Sequence, residues 1–181
     1  MNTENTQSSS VLATAALCSV ALLIVACSPA DEATTAPTTS HNTTTALLLK
    51  DAPIDTLSVY EARQQAKPGE AIQVSGQIGG TAKPFITGYA GFVLADPSID
   101  FCDEMGDDHC STPWDACCED RDKLKSMRLS VQFVDSDGAP IQADLKQSME
   151  LKELDKVAIV GTVAETSTDT NVIINATGLY K

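Results

Sequence analysis

The stretch Ala71–Ile78, AIQVSGQI, constrains the fold of this chain more than any other. Ile72, Val74, Gly76 and Ile78 alternate with Gln73, Ser75 and Gln77. A period of two puts each set on its own face of an extended chain, so this is a half-buried strand. Lys156–Val163, KVAIVGTV, reads as another, and both carry an internal glycine, Gly76 and Gly161. Glycine inside a strand points to strong coiling or to another backbone passing close by. Three more strands are expected: Tyr89–Ala95 (YAGFVLA), halted by Asp96-Pro97; Leu129–Val134 (LSVQFV), closed by the turn Asp135-Ser136-Asp137-Gly138; and Asn171–Leu179 (NVIINATGL).

Helical signals flank these strands. Ser58 followed by Glu61 has the spacing of a capping box, EARQQA after it favours helix, and Lys67-Pro68-Gly69 ends it. Gln142–Leu154 reads as one short or broken helix. The order is helix, strand, strand, long insertion, strand, short helix, strand, strand, with no internal repeat. The expected fold is mainly β: a small five-stranded barrel with one N-terminal helix, one short helix and a Cys-rich loop inserted at 96–122. VSGQIGG, FVLAD and DKVAIVGTVAE in this order resemble an OB-fold from about Ala71 to Tyr180, as element order and without a diagnostic motif; a small β-sandwich is the alternative. The resemblance implies a binding module for an oligonucleotide, an oligosaccharide or a protein, and fixes no single ligand. Hydrophobic residues make up 43% of the chain but aromatics only 4%, so the core must rest on Val, Ile, Leu and Ala.

Upstream, Val11–Ala26 is an apolar run of 16 residues, VLATAALCSVALLIVA. A membrane span needs about 20 residues, whereas a signal-peptide core is shorter. The run stops at Ile24-Val25-Ala26-Cys27, which resembles the lipobox of bacterial lipoproteins. That resemblance implies removal of residues 1–26 as a signal peptide, thioether lipidation of Cys27, and acylation of its new amine with a chain such as palmitate. Two or three acyl chains make a stable anchor. Ser28 in place of Asp favours the outer membrane over the inner, with the protein facing the periplasm or the cell surface. The leader departs from the usual pattern in having no Lys or Arg before Val11, only Glu4. An uncleaved short anchor and a start downstream of Met1 are the competing readings. Residues 27–45, rich in Thr, Pro and Ala, have too little apolar surface to fold and read as a lipidated, disordered tether that includes His41. The folded domain is then 46–181.

The distinctive segment runs from Asp96 to Asp122, DPSIDFCDEMGDDHCSTPWDACCEDRD. It holds Cys102, Cys110, Cys117 and Cys118, together with His109 and the chain's single Trp, Trp114. Ten acids against one Arg give it a local charge of −9 within a total of −13. The run of Asp-Asp-His-Cys, Thr-Pro-Trp-Asp and paired cysteines resembles segments of a bacterial lipoprotein family with an OB-fold-like domain, a resemblance that implies no particular activity. In an oxidising compartment four cysteines point to disulfides, which would also tie down a long loop. Cys117 and Cys118 rarely bridge each other, so each is expected to pair with Cys102 or Cys110, in either of two ways. In that reading there is no cofactor.

The alternative is a divalent metal such as Zn, with Cu and Ca also considered, held by Cys102, His109, Cys110, Cys117 and Cys118. The spacing C-x7-C-x6-C-C lacks the C-x2-C knuckle common in zinc sites. Asp135 begins no calcium loop, since Ala139 and Lys146 stand where ligands would be needed.

Acidic charge and scarce aromatics argue against nucleic acid. There is no nucleophile elbow, phosphate loop, HExxH or CxxC, so catalysis is not expected. A Cys–His thiol site at His109 and Cys110 would have carboxylate neighbours that disfavour its thiolate. The sequence therefore points to an envelope-anchored, non-catalytic binding or structural module, with metal binding or thiol redox chemistry as the alternative. Its partners would be the membrane, through the lipid, and an envelope protein or glycan.

Overall fold

A computed structural model describes residues 47–102 and 110–181. The leader, Cys27, the tether and His109 lie outside the described residues. The first strand, β1, Leu57–Ser58, runs parallel to β2 opposite Val74 and Ser75. Helix α1, Val59–Gln65, follows directly. Its capping box is complete: the Glu61 amide donates to Ser58 Oγ at 3.2 Å and the Ser58 amide to Glu61 Oε2 at 2.9 Å. Val59 and Ala62 form its buried face.

Strand β2, Ala71–Ile78, serves two neighbours. It pairs antiparallel with β5, Lys156–Val163, from Ala71↔Thr162 to Gln77↔Lys156. Its end also pairs with β3, Gly91–Ala95, through Gln77↔Ala95 and Ile78↔Leu94. Strand β4, Arg128–Phe133, lies antiparallel to β3 and parallel to β6, Ile173–Tyr180, while β6 returns antiparallel to β5. The order β2-β3-β4-β6-β5 closes back on β2. This is a closed five-stranded barrel of OB-like topology, and closure leaves its main strands no unpaired edge.

Coiling this tightly brings backbones into contact at both glycines singled out above. A Cβ on Gly76 would lie 2.7 Å from the Ala95 carbonyl oxygen and 2.9 Å from Val59 Cγ2, and one on Gly161 would collide with the Asn175 carbonyl oxygen. The β5–β6 register shifts between Val160 and Gly161, which face Gly178 and Ala176, so Thr177 is the extra residue of a bulge in β6.

The interior is filled by Val74, Ile78, Phe92, Leu94, Val131, Phe133, Ile159, Ile174 and Leu179, with Val59 from α1 and Leu145 from the one-turn helix α3, Leu145–Ser148. The Phe92 and Phe133 rings meet at 6.3 Å between centroids. Among the described residues no helix is long and apolar enough to cross a membrane.

The details depart from expectation at several element ends. Strand β3 starts at Gly91 rather than Tyr89, because Tyr89 and Gly91 donate backwards to Ile86 and Tyr89 carbonyls in a turn. Strand β6 starts at Ile173, since Asn171 is held in a turn by two backbone bonds to Thr168. The helix expected within Gln142–Leu154 is a single turn, and Glu150 and Leu154 with φ of 52° and 66° prevent its continuing. A further helix was not expected: α2, Arg121–Ser126, begins inside the segment read as loop to residue 122. Asp120 Oδ1 caps it by accepting from the Asp122 and Lys123 amides.

Candidate metal centre

The Cys-rich segment leaves the barrel at the end of β3 and returns through α2. It has a small core of its own. Ile99, Phe101 and Ala116 are buried with Ala95 at the end of β3 and Leu124 on α2, against Met127 and Leu154. Apolar residues at these positions pack the described part of the segment against the barrel end.

Hydrogen bonds fix the two arms relative to each other. The Cys102 amide donates to the Asp115 carbonyl at 2.8 Å, so the first cysteine is registered against the residues just before Cys117. The Gly80 amide donates to the Trp114 carbonyl at 2.8 Å, and the Trp114 indole N–H donates to the Ala82 carbonyl at 3.1 Å. Trp114 thereby fastens the segment to the β2–β3 connection. Arg128 on β4 reaches the Gly80 carbonyl at 2.5 Å, closing the same corner. Burial lowers the pKa of its guanidinium, and the nearby Asp115 charge partly offsets that effect.

Glu119 ties the outer turn together. Its carboxylate accepts from Lys123 Nζ at 2.5 Å and from the amides of Asp120 and Asp100. The Lys123 hydrogen bond, helped by those amides, holds the Glu119 carboxyl below its ordinary value.

This scaffold gathers three of the four cysteines. The sulfurs of Cys102, Cys110 and Cys117 lie within 4.8 Å of one another. Cys117 Sγ is 3.7 Å from Cys102 Sγ and 3.7 Å from Cys110 Sγ. Cys118 reaches the group through Cys117, at 3.9 Å, and lies outside the triad. All four are free thiols; Cys102 is buried, Cys110 half-buried, and Cys117 and Cys118 exposed. Hydrogen bonding with Cys102 and Cys117 pushes the Cys110 thiol up to about 12, since a thiolate there would face two more sulfurs.

A tetrahedral ion about 2.3 Å from each thiolate sets its sulfurs about 3.8 Å apart, whereas disulfide sulfurs lie at about 2.05 Å. The two 3.7 Å separations match the edge of a thiolate tetrahedron. The donor set is soft and suits Zn or Cu rather than Ca.

Of the residues named from sequence, Cys102, Cys110 and Cys117 come together, Cys118 flanks them, and His109 and Cys27 lie outside the described residues. The sequence reading missed the supporting residues Gly80, Ala82 and Arg128. They belong to strands and turns remote in sequence, and only the paired glycines Gly79-Gly80 signal an unusual backbone there.

A separate cleft of about 310 Å3 between the β2–β3 connection and α3 is lined by Phe85, Ile86, Tyr89, Lys146 and Glu153. Lys146 pairs with Glu153 and stands 5.0 Å over the Phe85 ring. No protein-family model and no curated protein matches the chain.

Proposed function

We propose that this protein is an envelope lipoprotein, anchored through Cys27, whose OB-like barrel presents a thiolate metal site and acts by binding rather than by catalysis. The observation that carries the metal reading is the Cys102–Cys110–Cys117 triad, with Cys117 3.7 Å from both partners. It is supported by the packing and bonding around the sulfurs, the Ile99–Phe101–Ala116 core and the Cys102–Asp115 backbone bond. Preformed ligands lose less conformational freedom when they bind. Zn is the ion this donor set fits, bound by three thiolates, with His109 or solvent as the fourth ligand. The neighbouring acids raise the local concentration of cations of any kind and supply no selectivity.

The lipoprotein part of the proposal rests on sequence: the apolar run ends at Cys27 and a Thr- and Pro-rich stretch follows. One experiment tests both parts. Native protein extracted from membranes is assayed for metal, free thiols and N-terminal mass. The expected result is one bound ion per chain, thiols that become titratable on chelation, and a lipid-modified Cys27. Four titratable thiols without a chelator would refute the metal site, and an unmodified Met1 or Asn2 terminus would refute the lipoprotein.

A further inference from the structure

Cys117 stands apart from the other three thiols because it neighbours all of them, at 3.7, 3.7 and 3.9 Å, while Cys118 lies outside the triad. It is also exposed, whereas Cys102 is buried. Cys118 is exposed too, but of the two only Cys117 has partners beyond its chain neighbour, each within about 2 Å of bonding distance. We infer that Cys117 is the hub of a redox switch: a single disulfide between Cys117 and either Cys102 or Cys110 removes two ligands at once and expels the metal. This rests on the thiolate-site reading and adds its regulation.

The oxidant class is a small disulfide, RSSR. The Cys117 thiolate attacks one of its sulfurs, breaking the S–S bond, forming a mixed disulfide Cys117–S–S–R and releasing one RS⁻. The Cys102 or Cys110 thiolate then attacks Cys117 Sγ, forming the internal bridge and releasing the second RS⁻. Two electrons pass from the two protein sulfurs to RSSR, and the ion leaves unchanged in oxidation state. A reducing thiol runs the sequence backwards and restores the site. The two 3.7 Å separations both run through Cys117, so the expected product is one bridge per chain at Cys117, with two thiols left over. Two simultaneous bridges would require either a bridge between the adjacent Cys117 and Cys118, which disulfide geometry disfavours, or a Cys118 that reaches Cys102 or Cys110.

The test uses the full-length mature protein, reduced, loaded with zinc and then treated with oxidised glutathione. Released zinc is followed with a chromogenic chelator, and bridges are mapped by mass spectrometry after free thiols are blocked. The expected result is one zinc released per bridge formed, every bridge containing Cys117 and two thiols blocked. Cys118→Ser should release zinc and form its bridge as the parent does, with one thiol blocked instead of two, and Cys102→Ser, tested without metal, should place the bridge at Cys110–Cys117. Zinc retained after bridging, bridges that leave Cys117 reduced, or two bridges per chain would each overturn the switch while leaving the zinc site standing. Failure of the reduced protein to take up zinc in the loading step would overturn the site itself, before any oxidant is added.

Discussion

Asp96 shows how one side chain joins the barrel to its attachments. It is 5% exposed, yet Oδ2 accepts from the Tyr60 amide in the first turn of α1, and Oδ1 from the Ser98 amide and hydroxyl. Burial alone would raise its pKa; the bonds from Tyr60 and Ser98, with Ser58, outweigh burial and leave the carboxyl below its ordinary value. A folded-state pKa below the unfolded value of about 3.9 gives stability that is full above about pH 4 and lost as pH falls through the folded value. Asp96→Ala strands three donors and should cost about 2–3 kcal/mol in denaturant unfolding at neutral pH. Asp96→Asn should flatten the acid side of the melting-temperature profile below about pH 4. At the proposed metal site, Cys117→Ser should lower zinc affinity by at least about 100-fold, because even a lost second-shell partner costs 10–100-fold. Cys118→Ser, outside the triad, should change it by less than about tenfold, measured by competition with a chelator of known affinity.

Among the elements, β5 and the Cys-rich segment depend most on neighbours remote in sequence. Gly161 on β5 faces the bulge of β6, whose extra residue is Thr177, and a side chain there meets the Asn175 carbonyl, which is itself part of the ladder. Gly161→Ala should therefore destabilise the domain by about 1–3 kcal/mol, the usual cost of overpacking, seen as a lower unfolding midpoint with an unchanged slope. The Cys-rich segment is attached by Trp114, whose indole N–H bonds the Ala82 carbonyl. Trp114→Phe removes that bond and should cost about 1 kcal/mol. Loosening should be local, so the Gly80 and Cys102 amides should exchange faster with deuterium while those of β2 and β5 stay protected.

For the molecule as a whole, the barrel uses residues close to the start of its described part. The Leu49 amide donates to the Leu179 carbonyl at 2.7 Å, the Leu179 amide to the Leu47 carbonyl at 2.9 Å, and Leu49 covers Gly178. Deleting residues 28–45 should leave the melting temperature of the mature protein nearly unchanged, because that composition buries little. Extending the deletion through Leu49 removes two backbone bonds and an apolar contact and should lower it measurably by calorimetry. The formal charge of −13 favours cations over phosphate backbones as binding partners.

The sequence by itself determined the barrel strands, their inward faces and the first helix. β2 and β5 match the expected bounds, the burial of β2 follows its alternation, and the Ser58–Glu61 box is formed. These features were legible because period-two patterning and capping are local: each residue's role depends on neighbours a few positions away. The sequence also named the four cysteines. Only the tertiary structure decided which of them meet. Cys102 and Cys117 are 15 positions apart, and their approach depends on a backbone bond to Asp115, a small core completed by α2, and an indole held by Ala82. Helix α2 escaped the sequence reading because its six residues bury only Leu124 and show too little periodicity to stand out from the acidic run before them. Which sulfurs lie within reach is set by how the return path packs on the barrel, a balance of long-range contacts that no single segment encodes.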